Sequence, residues 1–265
     1  MRHHPDLGLA APELGWVPSP GFVLRRAAIL DRMRGWPPGR ALEVGCGSGA
    51  LLFDLTQRGF SAVGVESSAE ALKLARTLLG QVDAIRLTDR LPDQGETFDY
   101  LFAFEVLEHV RDDRAALTEW VERLKPGGRC LLSVPAHRGR WNLTDRLAGH
   151  FRRYDRADIV PLLAAAGLIP SAIETYGFPL TWALERARRM VRFAESKWRG
   201  IETESIPLGD AAHTSASGTD RRIESRFYPL YAAGPGRWLL TAGARVQHRF
   251  RKRDWGISFL VEARK

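Results

Sequence analysis

Residues 42–49 read Leu42-Glu43-Val44-Gly45-Cys46-Gly47-Ser48-Gly49. A short apolar run ends in three glycines at alternate positions, and an Ala/Leu-rich stretch follows at once. Glycines placed between a strand and a helix let the backbone turn sharply and pass close to a ligand. The next apolar run, Ser61 to Glu66, closes on a carboxylate that lies 21 positions after Gly45. An acid at the end of the second strand is well placed to accept both hydroxyls of a ribose. The spacing is Gly-x-Gly-x-Gly, whereas a dinucleotide-binding dehydrogenase places its third glycine one position later.

The same rhythm of strand and helix continues outward. Expected strands are Ala41–Gly45, Ser61–Glu66, Val82–Leu87, Phe98–Phe104 and Arg129–Val134, with helices at Ala50–Arg58, Ala69–Leu79 and Leu117–Leu124. Lys125-Pro126-Gly127-Gly128 reads as a turn. Phe98–Phe104 is almost wholly apolar, as a strand covered on both faces should be. Further on, Arg156–Ala166 and Pro179–Lys197 have helical spacing, and Leu168–Thr175 and Trp255–Ala263 read as strands. Alternation of this kind predicts an α/β fold: a Rossmann-like, doubly wound, seven-stranded sheet with helices on both faces and a C-terminal helical and loop elaboration. A single domain is expected over residues 1–265. It divides into a lead-in at 1–39, a cofactor-binding core at 40–135, an acceptor-side region at 136–253 and a last strand at 254–265. Within the third part, the polar stretch Glu202–Arg222 is expected to be a mobile loop.

At 265 residues and 45% hydrophobic content, the chain can bury a full core. No apolar run approaches the ~20 residues a membrane-spanning helix needs, and residues 1–20 lack the apolar centre of a secretory signal. Two cysteines, Cys46 and Cys130, are too few for a disulfide framework, which points to the cytoplasm. The formal net charge of +8 comes mostly from arginine. An excess of that sign suits nucleic acid, anionic lipid or an acidic substrate, and equally a plain solvated surface. No nucleic-acid-binding module accompanies it.

Several motifs then fall in register. Glu43 precedes the glycines, Val63-Gly64-Val65-Glu66 follows, Asp89 comes after the third strand, Phe98-Asp99-Tyr100 opens the fourth, and Leu124-Lys125-Pro126-Gly127-Gly128 leads into the fifth. In this order they resemble the class I S-adenosylmethionine-dependent methyltransferase superfamily, in particular its small-molecule branch of the ubiquinone and menaquinone biosynthesis type. The resemblance covers residues 40–135 well and extends through 155–167 and the final strand. It implies S-adenosylmethionine as cofactor, with S-adenosylhomocysteine as product. It also implies cofactor contacts from Glu43, Gly45, Cys46, Gly47, Gly49, Glu66, Ser67, Asp89, Arg90, Phe104 and Glu105, with Asp89 toward the adenine amino group.

The implied reaction is methyl transfer to oxygen, or nitrogen, of a small or medium-sized acceptor such as a natural product, quinone precursor, sugar or lipid-linked intermediate. Rival readings are an RNA 2′-O-methyltransferase, a non-catalytic cofactor-binding partner subunit and a nucleotide-dependent oxidoreductase.

Phe104-Glu105-Val106-Leu107-Glu108-His109-Val110 sits at the lip of the expected crevice, because ligands of open α/β sheets bind at the carboxyl ends of strands. In a helical turn Glu105, Glu108 and His109 share a face. One reading has the backbone line the cofactor, with His109 beside the acceptor. A second, prompted by resemblance to the polyprenyl-dihydroxybenzoate O-methyltransferases and small-RNA 2′-O-methyltransferases, is a divalent metal held by Glu105, Glu108, His109 and possibly His137; the first reading is preferred. In a third, these side chains only cap a turn. Gly149-His150-Phe151-Arg152-Arg153-Tyr154 resembles a bacterial methyltransferase motif. It supplies His150 and Tyr154 for proton transfer, and Arg152 or Arg153 for an acidic acceptor. The alternative is a latch that ties these arginines to Asp145 and Asp155. His150 is the first candidate base, ahead of His109. In the lead-in, which also carries Trp16 and Phe22, either Arg25 or Arg26 can meet the cofactor carboxylate.

Overall fold

The computed structural model describes residues 2–187, 190, 209 and 221–265. The chain opens on a hairpin of β1 (Arg2–His4) and β2 (Gly8–Ala10), then enters α1 (Pro20–Arg32). Pro20 starts that helix after the Ser19 hydroxyl accepts from the Phe22 amide at 3.2 Å. Next come β3 (Arg40–Val44), α2 (Ala50–Thr56), β4 (Ser61–Val65), α3 (Ala69–Leu79), β5 (Ile85–Thr88) and β6 (Phe98–Phe104). They are followed by α4 (Asp113–Glu122), β7 (Leu124–Pro135), α5 (Leu143–Leu147), α6 (Arg156–Ala165) and β8 (Ile169–Tyr176). After a helical stretch at 180–187, the described chain resumes with α7 (Arg222–Ala232), α8 (Gly234–Phe250) and β9 (Ser258–Arg264).

Seven strands form one sheet in the order β5-β4-β3-β6-β7-β9-β8. The β5-β4-β3-β6-β7 pairs are parallel, and β9 runs antiparallel to both its neighbours. Order reverses beside β3, so the crevice at the carboxyl ends of β3 and β6 is the switch point of the sheet. Alternate residues feed two apolar layers. Leu42, Val44, Leu101 and Ala103 face α4 and α6 through Leu117, Trp120, Ile159 and Leu163. Ala41, Tyr100, Phe102 and Phe104 face α1, α2 and α3 through Ile29, Leu52 and Leu79. The irregularity between Phe98 and Tyr100 switches Phe98 to the first layer. This is the expected doubly wound sheet.

Boundaries moved where local hydrogen bonds outweighed apolar patterning. Helix α4 starts at Asp113, four residues ahead of the expected Leu117, because the Asp112 carboxylate caps it by accepting from the Ala115 amide at 2.9 Å. Residues 125–128 bulge within β7 rather than precede it, since Phe98 pairs with Leu124 and Tyr100 with Arg129. Strand β5 begins at Ile85, because turn bonds from Val82 to Leu79 and from Ile85 to Val82 occupy the expected start. The expected Pro179–Lys197 helix is described over 180–187 and at 190. The expected mobile loop at Glu202–Arg222 lies outside the described residues except for Gly209, Arg221 and Arg222, the last of which opens α7. No described helix is long and apolar enough to cross a membrane.

One expectation for the lead-in is corrected. Arg26 is buried and spends its guanidinium on Asp54 of α2, through two bonds of 2.6 Å, and on the carbonyls of Pro5 and Asp6. It ties the N-terminal hairpin and α1 to α2 and is not left over for a cofactor carboxylate. Removing one partner of a buried ion pair strands the other charge out of water. Asp54→Asn should therefore destabilise the fold by about 3 kcal/mol or more, read as a lower midpoint in chemical denaturation.

Candidate cofactor and acceptor site

The β3–α2 loop is pinned to the end of β4. The amides of Gly45 and Cys46 both donate to the Val65 carbonyl, at 2.8 and 3.0 Å. Glu66, the next residue, accepts from the Gly47 amide with one carboxylate oxygen at 2.9 Å and from the Ser68 amide with the other at 2.8 Å. Gly45, Gly47 and Gly49 all have left-handed φ of +69°, +55° and +73°. A Cβ on Gly45 would also lie 2.5 Å from the Val106 side chain, whereas Gly47 faces open space. One glycine serves close packing and the other keeps a wall bare for a ligand. Glu66 thus braces the loop as well as facing the crevice; each oxygen keeps a further lone pair for a hydroxyl.

A crevice of about 490 Å³ opens over this loop, lined by the loop itself, Glu43, Glu66, Ser67, Phe104, Glu105, Glu108, His109 and His150, with Trp16, Phe22 and Arg25 from the lead-in. An annex of about 220 Å³ continues from it past Arg25, Glu105 and His150 toward Thr181, Ile257 and Ser258. A larger cleft of about 750 Å³ lies between α1, α8 and β8, away from the glycines. There Asp31 pairs with Arg34 and His248, and Glu174 with Arg251, and neither the glycine loop nor Glu66 lines it, so the crevice is the stronger candidate.

Not every expected cofactor residue reaches it. Asp89 and Arg90 are exposed, at 63% and 85%, and lie outside the crevice lining. Gly49 packs beneath the loop against Leu79. Of the two lead-in arginines, Arg25 lines crevice and annex, with no hydrogen-bond or ion-pair partner among the described residues.

The segment 105–109 departs from a regular helical turn. Glu105 adopts a left-handed φ of 56°, and Leu107–His109 form a 3₁₀ turn. Glu105 and Glu108 therefore diverge. The Glu105 carboxylate accepts from Tyr176 Oη at 2.8 Å and Ser258 Oγ at 3.3 Å. Glu108 is fully buried, and neither of its oxygens has a hydrogen-bond partner. Burial, then the charge of Glu105, pushes its carboxyl well above the usual range. Glu105 is thereby separated from the expected metal set. So is His137, whose ring rests on Phe259, with a centroid distance of 5.6 Å. The atoms that converge belong to Glu108, His109 and His150, which offer ligand atoms within 4.8 Å of one another.

Asp145 organises the segment after β7. One oxygen accepts from the Asn142 amide at 2.9 Å, closing the capping box of α5. The other receives Arg153 Nε at 2.7 Å and meets His150 Nδ1 at 3.1 Å. Burial would raise the Asp145 carboxyl, but the His150 hydrogen bond and the Arg153 charge hold it below its usual value. His109 Nδ1 lies 3.3 Å from the Gly149 carbonyl, and its ring meets that of His150 edge to face at 4.7 Å. Burial and His150 lower the His109 pKa to about 4.

Two expectations change here. The Tyr154 hydroxyl donates to Asp113 at 2.7 Å and lies away from the crevice, so it is not available to an acceptor proton. Arg152 pairs with Asp113 and Arg153 with Asp145, which removes the cations proposed for an acidic acceptor. The latch and the crevice wall are one loop. The sequence reading missed Asp145 as the partner of His150, although Asn142-x-x-Asp145 is a legible capping pattern. It also missed Tyr176 and Ser258, whose strands had to be paired first.

Glu43 is buried at the root of the loop, with one oxygen unpartnered. Burial lifts its pKa to about 8 against the opposing charge of Arg25, with Asp54 and Glu66 adding to the rise. The folded chain therefore keeps a proton that the unfolded chain releases above its ordinary value, so this contribution to stability is full below pH ~4.5 and lost as pH rises through ~8. Glu43→Gln should abolish that loss, making the variant more resistant to denaturant than the parent near pH ~9 and little different near pH ~4.5.

Comparison with known proteins follows the same lines. Residues 24–169 match the family described as methyltransferase domain. Over 94 residues the chain is 38% identical to the ubiquinone biosynthesis O-methyltransferase of Chelativorans sp. (strain BNC1), covering 34% of this chain and 37% of that protein. It therefore aligns with well under two thirds of that relative's length. An S-adenosylmethionine dependent methyltransferase from Mesorhizobium loti superposes with a TM-score of 0.54 at 17% identity, covering 93% of this chain and 98% of the other. Phosphoethanolamine N-methyltransferase 2 of Haemonchus contortus, solved with S-adenosyl-L-methionine, gives 0.55 at 19% identity over 93% and 53%. These two likenesses establish a shared fold. With the family match spanning more than half of its length, this chain belongs to the methyltransferase domain family.

Proposed function

We propose that this chain transfers the methyl group of S-adenosylmethionine to an oxygen of a small or medium-sized acceptor. The crevice holds the cofactor and the annex holds the acceptor. The observation that carries the reading is the position of His150. It borders both cavities and is oriented through Nδ1 by the buried Asp145. The other ring nitrogen, Nε2, is then the one free to take a proton. The name of the Chelativorans relative supports oxygen over nitrogen. In this division the lead-in supplies Trp16, Phe22 and Arg25, residues 40–135 the cofactor wall, and the segment after β7 the acceptor wall. Both cysteines are buried and unpaired, in keeping with a reducing compartment such as the cytoplasm.

Bound in the crevice, the cofactor supplies a methyl carbon already activated by its sulfonium, so the protein's work is alignment and proton removal. The Gly47 wall admits it, and Glu66 offers its spare lone pairs to the ribose. Arg25 faces the amino-acid carboxylate. The cofactor would supply its methyl carbon to the acceptor oxygen, with the electron pair of the carbon–sulfur bond left on sulfur. His150 Nε2 takes the acceptor's proton, and Asp145 stabilises the imidazolium. His109, with its pKa near 4, is a poor proton acceptor and serves to wall and orient the site. His150→Ala should lower turnover by roughly 10²- to 10⁴-fold and leave S-adenosylhomocysteine affinity, measured by calorimetry, within about twofold. Equal loss of both would sink the assignment.

A second reading rests on Glu108. A buried carboxylate with no partner, facing two imidazoles, is a fit for a divalent cation. Each imidazole directs its Nδ1 at an acceptor, the Gly149 carbonyl or Asp145, as metal-bound histidines do. Such an ion would take His150 Nε2 and exclude it as base, so the two readings give opposite results. On the base reading activity survives exhaustive chelation and falls on the acid side of a pH profile. On the metal reading chelation abolishes activity, and added magnesium, manganese or zinc restores it.

A further inference from the structure

We infer that the outer face of α7 and α8 is a docking surface for an anionic lipid bilayer. On these helices Phe227, Leu230, Trp238, Leu239 and Val246 are exposed, Leu230 at 70% and Trp238 at 68%. On α8 the spacing of Trp238, Leu239, Ala242 and Val246 (i, i+1, i+4, i+8) makes one stripe. The stripe cannot turn inward, because the opposite face of α8 is fixed. Gln247 is buried there, accepting from the Gly177 amide at 2.9 Å and donating to the Leu24 carbonyl at 2.8 Å, and Leu240 packs against Val23 and Leu24. Where the two helices meet, Gly236 approaches the Leu230 carbonyl and Tyr231 so closely that no side chain would fit. The apolar end of α8 is thus held beside that of α7.

Charge decides what covers this face. From Arg222 to Arg253 the sequence holds eight arginines and lysines and one carboxylate, Glu224. Arg226, Arg245 and Arg249 are exposed and have no ion-pair partner among the described residues. A second copy of the chain would bring the same positive field and be repelled. RNA would reward the arginines but not Leu230, Leu239 or Val246. An interfacial helix pair needs both features: apolar side chains that enter the acyl boundary, and cations level with the headgroups. The face also adjoins the crevice. Ser225 and Tyr231 of α7 donate to the carbonyls of Gly15 and Pro18, at 3.0 Å each, and Trp16 between them lines the crevice. The inference does not depend on the methyl-transfer reading.

The test is co-sedimentation of the full chain with vesicles of phosphatidylcholine alone or mixed with phosphatidylglycerol, at low and high salt. Partitioning should be at least about tenfold stronger with phosphatidylglycerol and should weaken as salt rises. Leu230→Ser with Trp238→Ser, and separately Arg245→Glu with Arg249→Glu, should each weaken it by about tenfold or more, with unchanged thermal melting. Equal partitioning to both vesicles, or none, overturns the inference. So does parental partitioning by both variants. Two further results would overturn it: self-association without lipid that is lost with Trp238→Ser, or single-stranded RNA bound as tightly as the anionic vesicles.

Discussion

The glycine-loop wall of the crevice hangs on the end of β4. The Val65 carbonyl holds the Gly45 and Cys46 amides, and the Glu66 carboxylate holds the Gly47 and Ser68 amides. Two adjacent residues thereby fix the path of the glycine loop and the start of the segment leading into α3. The strand supplies the bonds because β3 and β4 pair in parallel register, with Val44 opposite Val65. Shift that register by one residue and Glu66 would point to the other side of the sheet. Core packing is therefore what sets the shape of the crevice. The alternating Leu42/Val44 and Ala41 faces secure the strand, and the strand secures the loop.

A second hub governs the segment after β7. Asp145 satisfies a backbone amide, a guanidinium and an imidazole at once, and each bond does a different job. The Asn142 bond closes a short helix, the Arg153 bond folds the following loop back, and the His150 bond aims a ring. Such compensation keeps a buried carboxylate charged at little cost. Glu108, a few ångströms from the same histidines, is the contrasting case. It is equally buried yet has no hydrogen-bond partner, so burial favours its protonated form. A satisfied and an unsatisfied carboxyl thus stand around one imidazole pair.

The fold was legible because its signals are local and repeated. Phe98–Phe104 and Ala69–Leu79 match the structure residue for residue, since nothing competes with their periodicity. Boundaries failed where one hydrogen bond outweighs a pattern, as at Asp112. Most residues expected at the cofactor line the crevice, because the glycines, the strand end and the acid lie close in sequence, whereas Gly49, Asp89 and Arg90 do not line it. The acceptor side was read less well. His150 was singled out, but its partner, and the loss of Tyr154, Arg152 and Arg153 to internal bonds, depend on how 136–155 folds back on Asp113. No periodicity encodes that. The helices α7 and α8 were not given bounds of their own in the C-terminal elaboration; Pro229 lies inside α7, and Gly234, Pro235 and Gly236 open α8 at the corner between the two.

Net charge is a poor guide to the crevice. The chain is strongly basic, which invited a search for acidic ligands in the crevice. Yet the crevice is lined by Glu43, Glu66, Glu105 and Glu108, and most cations nearby are committed. Arg26 belongs to Asp54, Arg153 to Asp145 and Arg152 to Asp113. Arg25 remains in the crevice, and Arg226, Arg245 and Arg249 on the outer helices are exposed without ion-pair partners among the described residues. Burial keeps the Glu43 and Glu108 carboxyls protonated above the usual carboxylate range, so two of the four glutamates add no charge to the crevice near neutral pH. The outer charge acts at long range on whatever surface the protein meets. Composition counts every carboxyl alike. Which of them keep a proton is set by burial, and that follows from strand order rather than from sequence distance.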